Sequence, residues 1–159
     1  MKLLDITKQI VASSSKVLDK YVPAKYDLTL DYVDIFPKSE DEYKELLNQL
    51  KTLGKPVWQG STGNTYMLEE PIETVKGVLN LLRIRTFDES KLIFRGHPDY
   101  TIKETQYEEF KEDLLKQGNV NLIKRTDYEM IEIWDKDFEV AIYFPSIPLT
   151  QDINKKNLI

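Results

Sequence analysis

The run Leu82-Arg83-Ile84-Arg85 places two guanidinium groups two residues apart in a segment that reads as a β-strand. Alternate side chains of a strand share a face, so Arg83 and Arg85 project together, about 7 Å apart along the chain. Guanidinium forks match the oxygens of phosphates and carboxylates, and a face carrying two of them is costly to bury dry. Arg95 on the next expected strand and Arg125 on a later one would extend this face into a concave cationic surface for a phosphorylated or otherwise anionic small molecule. Glu129, Glu132 and Glu139 are the acidic residues best placed on strands to hold a divalent cation through oxygen ligands. The plainer alternative is a solvated sheet face on which Glu129, Glu132 or Asp31 simply pairs with the arginines.

Other chemistry has less to build on. His97 is the only histidine, which argues against a histidine triad or a multi-histidine metal site within one chain. It stands between Gly96 and Pro98 and reads as a turn residue without catalytic duty. Gly60-Ser61-Thr62-Gly63-Asn64 lacks the lysine and the spacing of a P-loop and reads as a flexible turn.

Composition sets the frame. At 159 residues, 41% hydrophobic and 31% charged, the chain has the size and balance of one folded domain. The absence of cysteine excludes disulfides and thiolate metal sites and points to a reducing, cytoplasmic setting. The start, Met1-Lys2-Leu3-Leu4-Asp5, carries charge, and no run approaches the ~20 apolar residues of a membrane span. A net charge of -5 argues against generic capture of nucleic acid.

The elements that must position the arginines follow from periodicity. Residues 2 to 21 have apolar residues every three or four positions and read as an amphipathic helix, with Ser13-Ser14-Ser15 as an interruption and Pro23 beyond its end. Residues 26 to 36 alternate and are rich in branched and aromatic side chains, as a half-buried strand requires. Ser39 and Glu42 have capping-box spacing before the stripe Tyr43, Leu46, Leu47, Leu50 and Leu53, which stops at Gly54. Extended runs follow at 57–59, 65–69, 78–87 and 91–95, and their short connections predict antiparallel pairing. A second set repeats the order: a strand at 99–102, capping-box spacing at Thr105 and Glu108, a helical stripe to Gly118, then strands at 120–125, 128–134 and 138–144. Asp31-Tyr32 answers Asp99-Tyr100, and Tyr43 and Tyr107 each stand eleven residues before a glycine. The expectation is an α+β domain: an N-terminal helix (1–25), duplicated β-α-β-β-β halves (26–96 and 97–147) forming an antiparallel barrel-like sheet, and a C-terminal tail (148–159).

Asn64-Thr65-Tyr66, Gly77, Leu82-Arg83-Ile84-Arg85 and Lys91-Leu92-Ile93-Phe94-Arg95-Gly96 together resemble the CYTH superfamily of triphosphate tunnel metalloenzymes. The resemblance implies an eight-stranded antiparallel tunnel binding triphosphates, with Mg²⁺ or Mn²⁺ held by glutamates, here Glu129 and Glu132. It also implies metal-assisted hydrolysis with Arg83 and Arg85 on the phosphate chain, joined by Arg95, which stands where that family usually has lysine. Where that family carries Glu-x-Glu-x-Lys, this chain reads Asp27-Leu28-Thr29-Leu30-Asp31, without one metal ligand and the basic residue. The duplicated order also resembles the vicinal oxygen chelate group, with Tyr32 where the metal histidine would fall. That resemblance implies a non-catalytic ligand-binding or interaction module.

Overall fold

Leu3, Ile6, Ile10, Val17 and Leu18 bury one side of an unbroken helix, α1 (Leu3–Tyr21), in the computed structural model, which describes residues 2–156. The three serines do not interrupt it. Ser14 is fully buried, donates or accepts at 2.6 Å with the Tyr100 hydroxyl, and bonds the Val11 carbonyl at 2.8 Å.

The remaining elements are β1 (Thr29–Ile35), α2 (Glu40–Leu53), β2 (Gly54–Gly60), β3 (Gly63–Thr74), β4 (Gly77–Ile84), β5 (Gly96–Thr101), α3 (Tyr107–Leu115), β6 (Val120–Lys124), β7 (Glu129–Trp134), β8 (Ala141–Pro145) and α4 (Leu149–Lys155). The start of α2 is the expected cap: the Glu42 amide donates to Ser39 Oγ at 3.1 Å, and the Glu42 carboxylate accepts from the Lys38 amide at 2.6 Å. Thr105 does not cap α3, because a 3₁₀ turn at Glu104–Gln106 places it inside a helical turn rather than ahead of one.

All eight strands belong to one sheet, in the order β2-β3-β4-β1-β5-β8-β7-β6. Two expectations are corrected here. The sheet has free edges at β2 and β6, so the barrel does not close. The pairing is mixed: β1 with β4 and β5 with β8 are parallel. The reason lies in α2 and α3, which act as crossovers; each lets the strand after it run parallel to the strand before it, and two antiparallel turns then preserve that direction. Residues 91–95 are not a strand either. A 3₁₀ turn at Glu89–Lys91 opens that segment, and β5 begins at Gly96.

The two middle strands, β1 and β5, are antiparallel and form a seam between the halves. Close approach there depends on Gly96, opposite Ile35. A methyl at that position would stand 2.4 Å from the Asp34 carbonyl oxygen and 2.8 Å from Ile10. A register shift between Leu30 and Tyr32 turns the chain at Asp31. Bulges of this kind re-aim side chains, so Leu30 joins the main core while Tyr32 faces the opposite side of the sheet.

That main core lies under α1, α2 and α3 and gathers Val33, Ile35, Leu82, Ile84, Tyr100, Ile131, Ile133, Ile142 and Phe144 from the strands. The opposite face is partly covered by α4, where a tail was expected; Ile153 buries itself against Tyr32 and Leu81. Among the described residues no helix is long and apolar enough to cross a membrane.

Candidate functional site

On the face away from α1, α2 and α3, alternation brings Tyr32 and Asp34 of β1, Arg83 of β4, Arg85 just after it, His97 and Asp99 of β5 and Tyr143 of β8 to the same side. All but Asp34 line a cavity of about 650 Å³, and Asp34 lies beneath it without solvent exposure. Trp58 of β2 lines the same cavity, as do Arg125 and Tyr128 from the β6–β7 turn. The lining thus draws on residues from β2, at one edge of the sheet, to the β6–β7 turn at the other.

Asp34 organises the floor. Arg83 donates to its carboxylate at 3.0 Å and to the Tyr32 hydroxyl at 2.6 Å. Arg85 stands 3.6 Å from the same oxygen, with its guanidinium 5.1 Å from the Phe36 ring centre. His97 Nε2 lies 3.2 Å from Asp34 and its Nδ1 3.1 Å from Asp99. Tyr143 packs edge-on against His97 at 4.6 Å and donates to Glu132 at 2.8 Å. Two atoms of this cluster, Asp34 Oδ1 and Arg83 Nε, are buried without a protein partner.

The arginines expected to converge are thus split. Arg83 and Arg85 share the cavity floor, and Arg125 joins its rim. No carboxylate among the described residues forms an ion pair with Arg125, unlike the other three arginines. Arg95 is elsewhere: Glu42 clasps it with both oxygens, at 2.9 and 2.7 Å, and the Phe36 carbonyl accepts a third bond at 3.1 Å. The capping glutamate of α2 therefore removes Arg95 from the site. The partner of Arg83 and Arg85 is Asp34 rather than Asp31, whose carboxylate accepts from the Thr150 amide at 3.3 Å.

Glu129 and Glu132, expected to hold Mg²⁺ or Mn²⁺, stand three apart on β7 and so face opposite sides of the sheet. Glu129 pairs with Lys111 of α3 at 3.3 Å, and Glu132 accepts from Tyr143 and, at 3.4 Å, from Asn121. Among the described residues no group of three or more histidine, aspartate or glutamate side chains is arranged so that it could hold a metal ion. Gly60 to Gly63 close the β2–β3 hairpin as a turn, with Ser61 and Thr62 on the cavity rim. Asp34, His97 and Asp99 were the residues to find. Their signal is polar side chains at same-face positions, i and i+2, in strands whose other positions are buried.

Burial alone would raise the Asp34 carboxyl, but hydrogen bonds and charge from His97 and Arg83 outweigh it and hold Asp34 below its usual range. Burial alone would lower His97; bonds to Asp34 and Asp99 overcome it and push the imidazole up. Both ring nitrogens face carboxylates, and only the imidazolium donates from both. Asp99 is pushed up by its burial, with His97 opposing. A raised His97 stabilises the fold fully below its unfolded value of about 6.5 and loses that contribution as pH rises through its folded value. Asp99 acts in the same direction from its ordinary value of 3.8 upward. Asp34 acts the opposite way, losing its contribution only as pH falls through its lowered folded value. Urea unfolding across pH 6 to 9 is therefore expected to show the parent losing stability relative to a His97→Gln variant; parallel curves for the two proteins would contradict the imidazolium assignment.

No family model matches this sequence, and no curated protein matches it. Among solved structures, a structural-genomics protein described as EC4020 superposes with a TM-score of 0.71, covering 93% of this chain and 87% of that one at 9% identity. At that identity the likeness shows the fold alone: an α+β arrangement with four helices and an eight-stranded mixed sheet.

Proposed function

We propose that the cavity binds a small anionic molecule, phosphorylated or carboxylated, and that the chain is a ligand-binding module rather than a hydrolase. The observation that carries this reading is that Arg85, beside the seam, and Arg125, from the far edge of the sheet, line one cavity. Arg83, held by Asp34 and Tyr32, fixes the floor beneath them.

We further infer that the two halves arose by duplication. Supporting it, the order β2-β3-β4-β1 on one side of the seam is answered by β6-β7-β8-β5 on the other. The open sheet favours the vicinal-oxygen-chelate-like architecture over the tunnel, which needs closure. Tyr32, at the position of that group's metal histidine, binds a guanidinium instead.

Thermal-shift and calorimetric titration with inorganic phosphate, tripolyphosphate and simple carboxylates tests the reading. Arg85→Ala and Arg125→Ala are expected to weaken binding about tenfold or more, the scale of a lost charged hydrogen bond. Arg95→Ala, outside the cavity, is expected to leave affinity unchanged. Indifference of the parent to every anion would discard the proposal. Phosphate release from tripolyphosphate with Mg²⁺ or Mn²⁺, lost in Arg83→Ala, would replace it with the hydrolytic reading.

A further inference from the structure

The cavity's charges limit what it can hold. Arg83, Arg85, Lys91, Arg125 and Lys156 line it, against Asp99, Asp127 and Asp152, with Asp34 directly below. Five cations thus meet four carboxylates, an excess of one positive charge with His97 neutral and of two with it protonated. A triphosphate, with about four negative charges, would leave two or three uncompensated in a partly enclosed space, where unpaired charge is strongly disfavoured. A single carboxylate stays within the excess in either state of His97 and leaves no negative charge of its own uncompensated.

The rest of the lining is aromatic. Trp58 comes from one edge of the sheet and Tyr128 from beside the other, while Phe36, Phe94, Tyr32 and Tyr143 lie between. Lys156 lies 4.3 Å from the Trp58 ring centre, and Arg85 stacks on Phe36. Guanidinium groups backed by aromatic rings offer their edges to a carboxylate, and the surrounding rings offer offset or edge contacts to a planar apolar body.

Resting on the anion-binding reading above, we propose that the ligand class of this cavity is a planar aromatic acid carrying one carboxylate. The carboxylate engages Arg85 and Arg125, and the ring lies among Trp58, Tyr128 and Phe94. Selection against polyanions comes from Asp99, Asp127 and Asp152, and selection against aliphatic acids from the rings.

Calorimetry on the full chain tests it with four probes: 3-phenylpropionate, butyrate, L-phenylalanine and tripolyphosphate. Trp58 emission, separated from Trp134 by a Trp58→Phe variant, provides a second readout. The expected result is that 3-phenylpropionate binds at least tenfold tighter than each of the others, perturbs Trp58 emission, and loses about tenfold in Arg85→Ala. Butyrate of equal affinity would remove the aromatic part of the proposal, and L-phenylalanine of equal affinity would remove the charge selection; either overturns it. Tripolyphosphate binding through Arg85 with no response to 3-phenylpropionate would overturn this inference while the anion-binding reading stands. Saturation by none of the four would overturn this inference, and indifference to inorganic phosphate as well would end the anion-binding reading.

Discussion

Replacing Asp34 with asparagine is expected to cost about 3–5 kcal/mol of folding stability, the usual price of stripping one partner from a buried ion pair. The asparagine keeps the shape and loses the charge. Arg83, 3.0 Å away, Arg85, 3.6 Å away, and His97, 3.2 Å away, would then share a site without their common counter-charge. Each is mostly buried, with side-chain exposures of 14%, 24% and 10%, so solvent cannot take over the carboxylate's role. Against a total of 5–15 kcal/mol for an ordinary domain, this is enough to leave the variant partly unfolded at moderate temperature. The measurement is urea denaturation: the midpoint should fall while the slope stays constant. Asp31→Asn is the comparison, since Asp31 accepts a single amide bond from Thr150, and its cost should be about 1 kcal/mol. Equal midpoints for the two variants would show that Asp34 does not hold the floor together.

Phe110→Ala should be comparably damaging, by about 3–5 kcal/mol, for a different reason. Phe110 is fully buried and meets Tyr26 edge-on at 5.0 Å and Phe144 at 4.8 Å. It is one of two fully buried anchors of α3, the other being Leu114, in a nine-residue helix with no side-chain cap. A helix that short has little stability of its own and depends on its packed face. Truncation opens a cavity beside β8 and removes one of the two fully buried anchors of α3. Hydrogen exchange should therefore show α3 amides losing protection ahead of α2 amides, while Leu115→Ala, at a 37% exposed position, changes little. Uniform loss of protection across the chain would argue that α3 does not open separately.

The helices were readable because their signals are local. The stripe of α2 and its Ser39–Glu42 cap lie within fifteen residues and are satisfied within the helix itself. Strand existence was also local, and most strand segments are close to where alternation puts them. Pairing was not, because the parallel β1–β4 and β5–β8 contacts depend on how far α2 and α3 carry the chain. The site divided in the same way. Arg83 and Arg85 share a face by strand geometry alone, which any extended segment obeys. Arg95 required knowing that Glu42, fifty-three residues earlier, would reach it. Asp34 was hidden by the bulge at Asp31, which makes Asp34, not Asp31, the residue under the arginines. His97 looked like a turn residue because Gly96 and Pro98 flank it, yet Gly96 is there to let β5 lie close to β1.

The contact between Ser14 and Tyr100 joins residues 86 positions apart. During synthesis at roughly 5–20 residues per second, α1 therefore waits about 4–17 s for the strand that receives it. Over that interval its greasy stripe of Leu3, Ile6, Ile10 and Val17 has β1, α2 and β3 to lie against but lacks β5. A nascent chain of this protein should accordingly recruit holding factors until β5 has left the ribosome, and shed them soon afterwards.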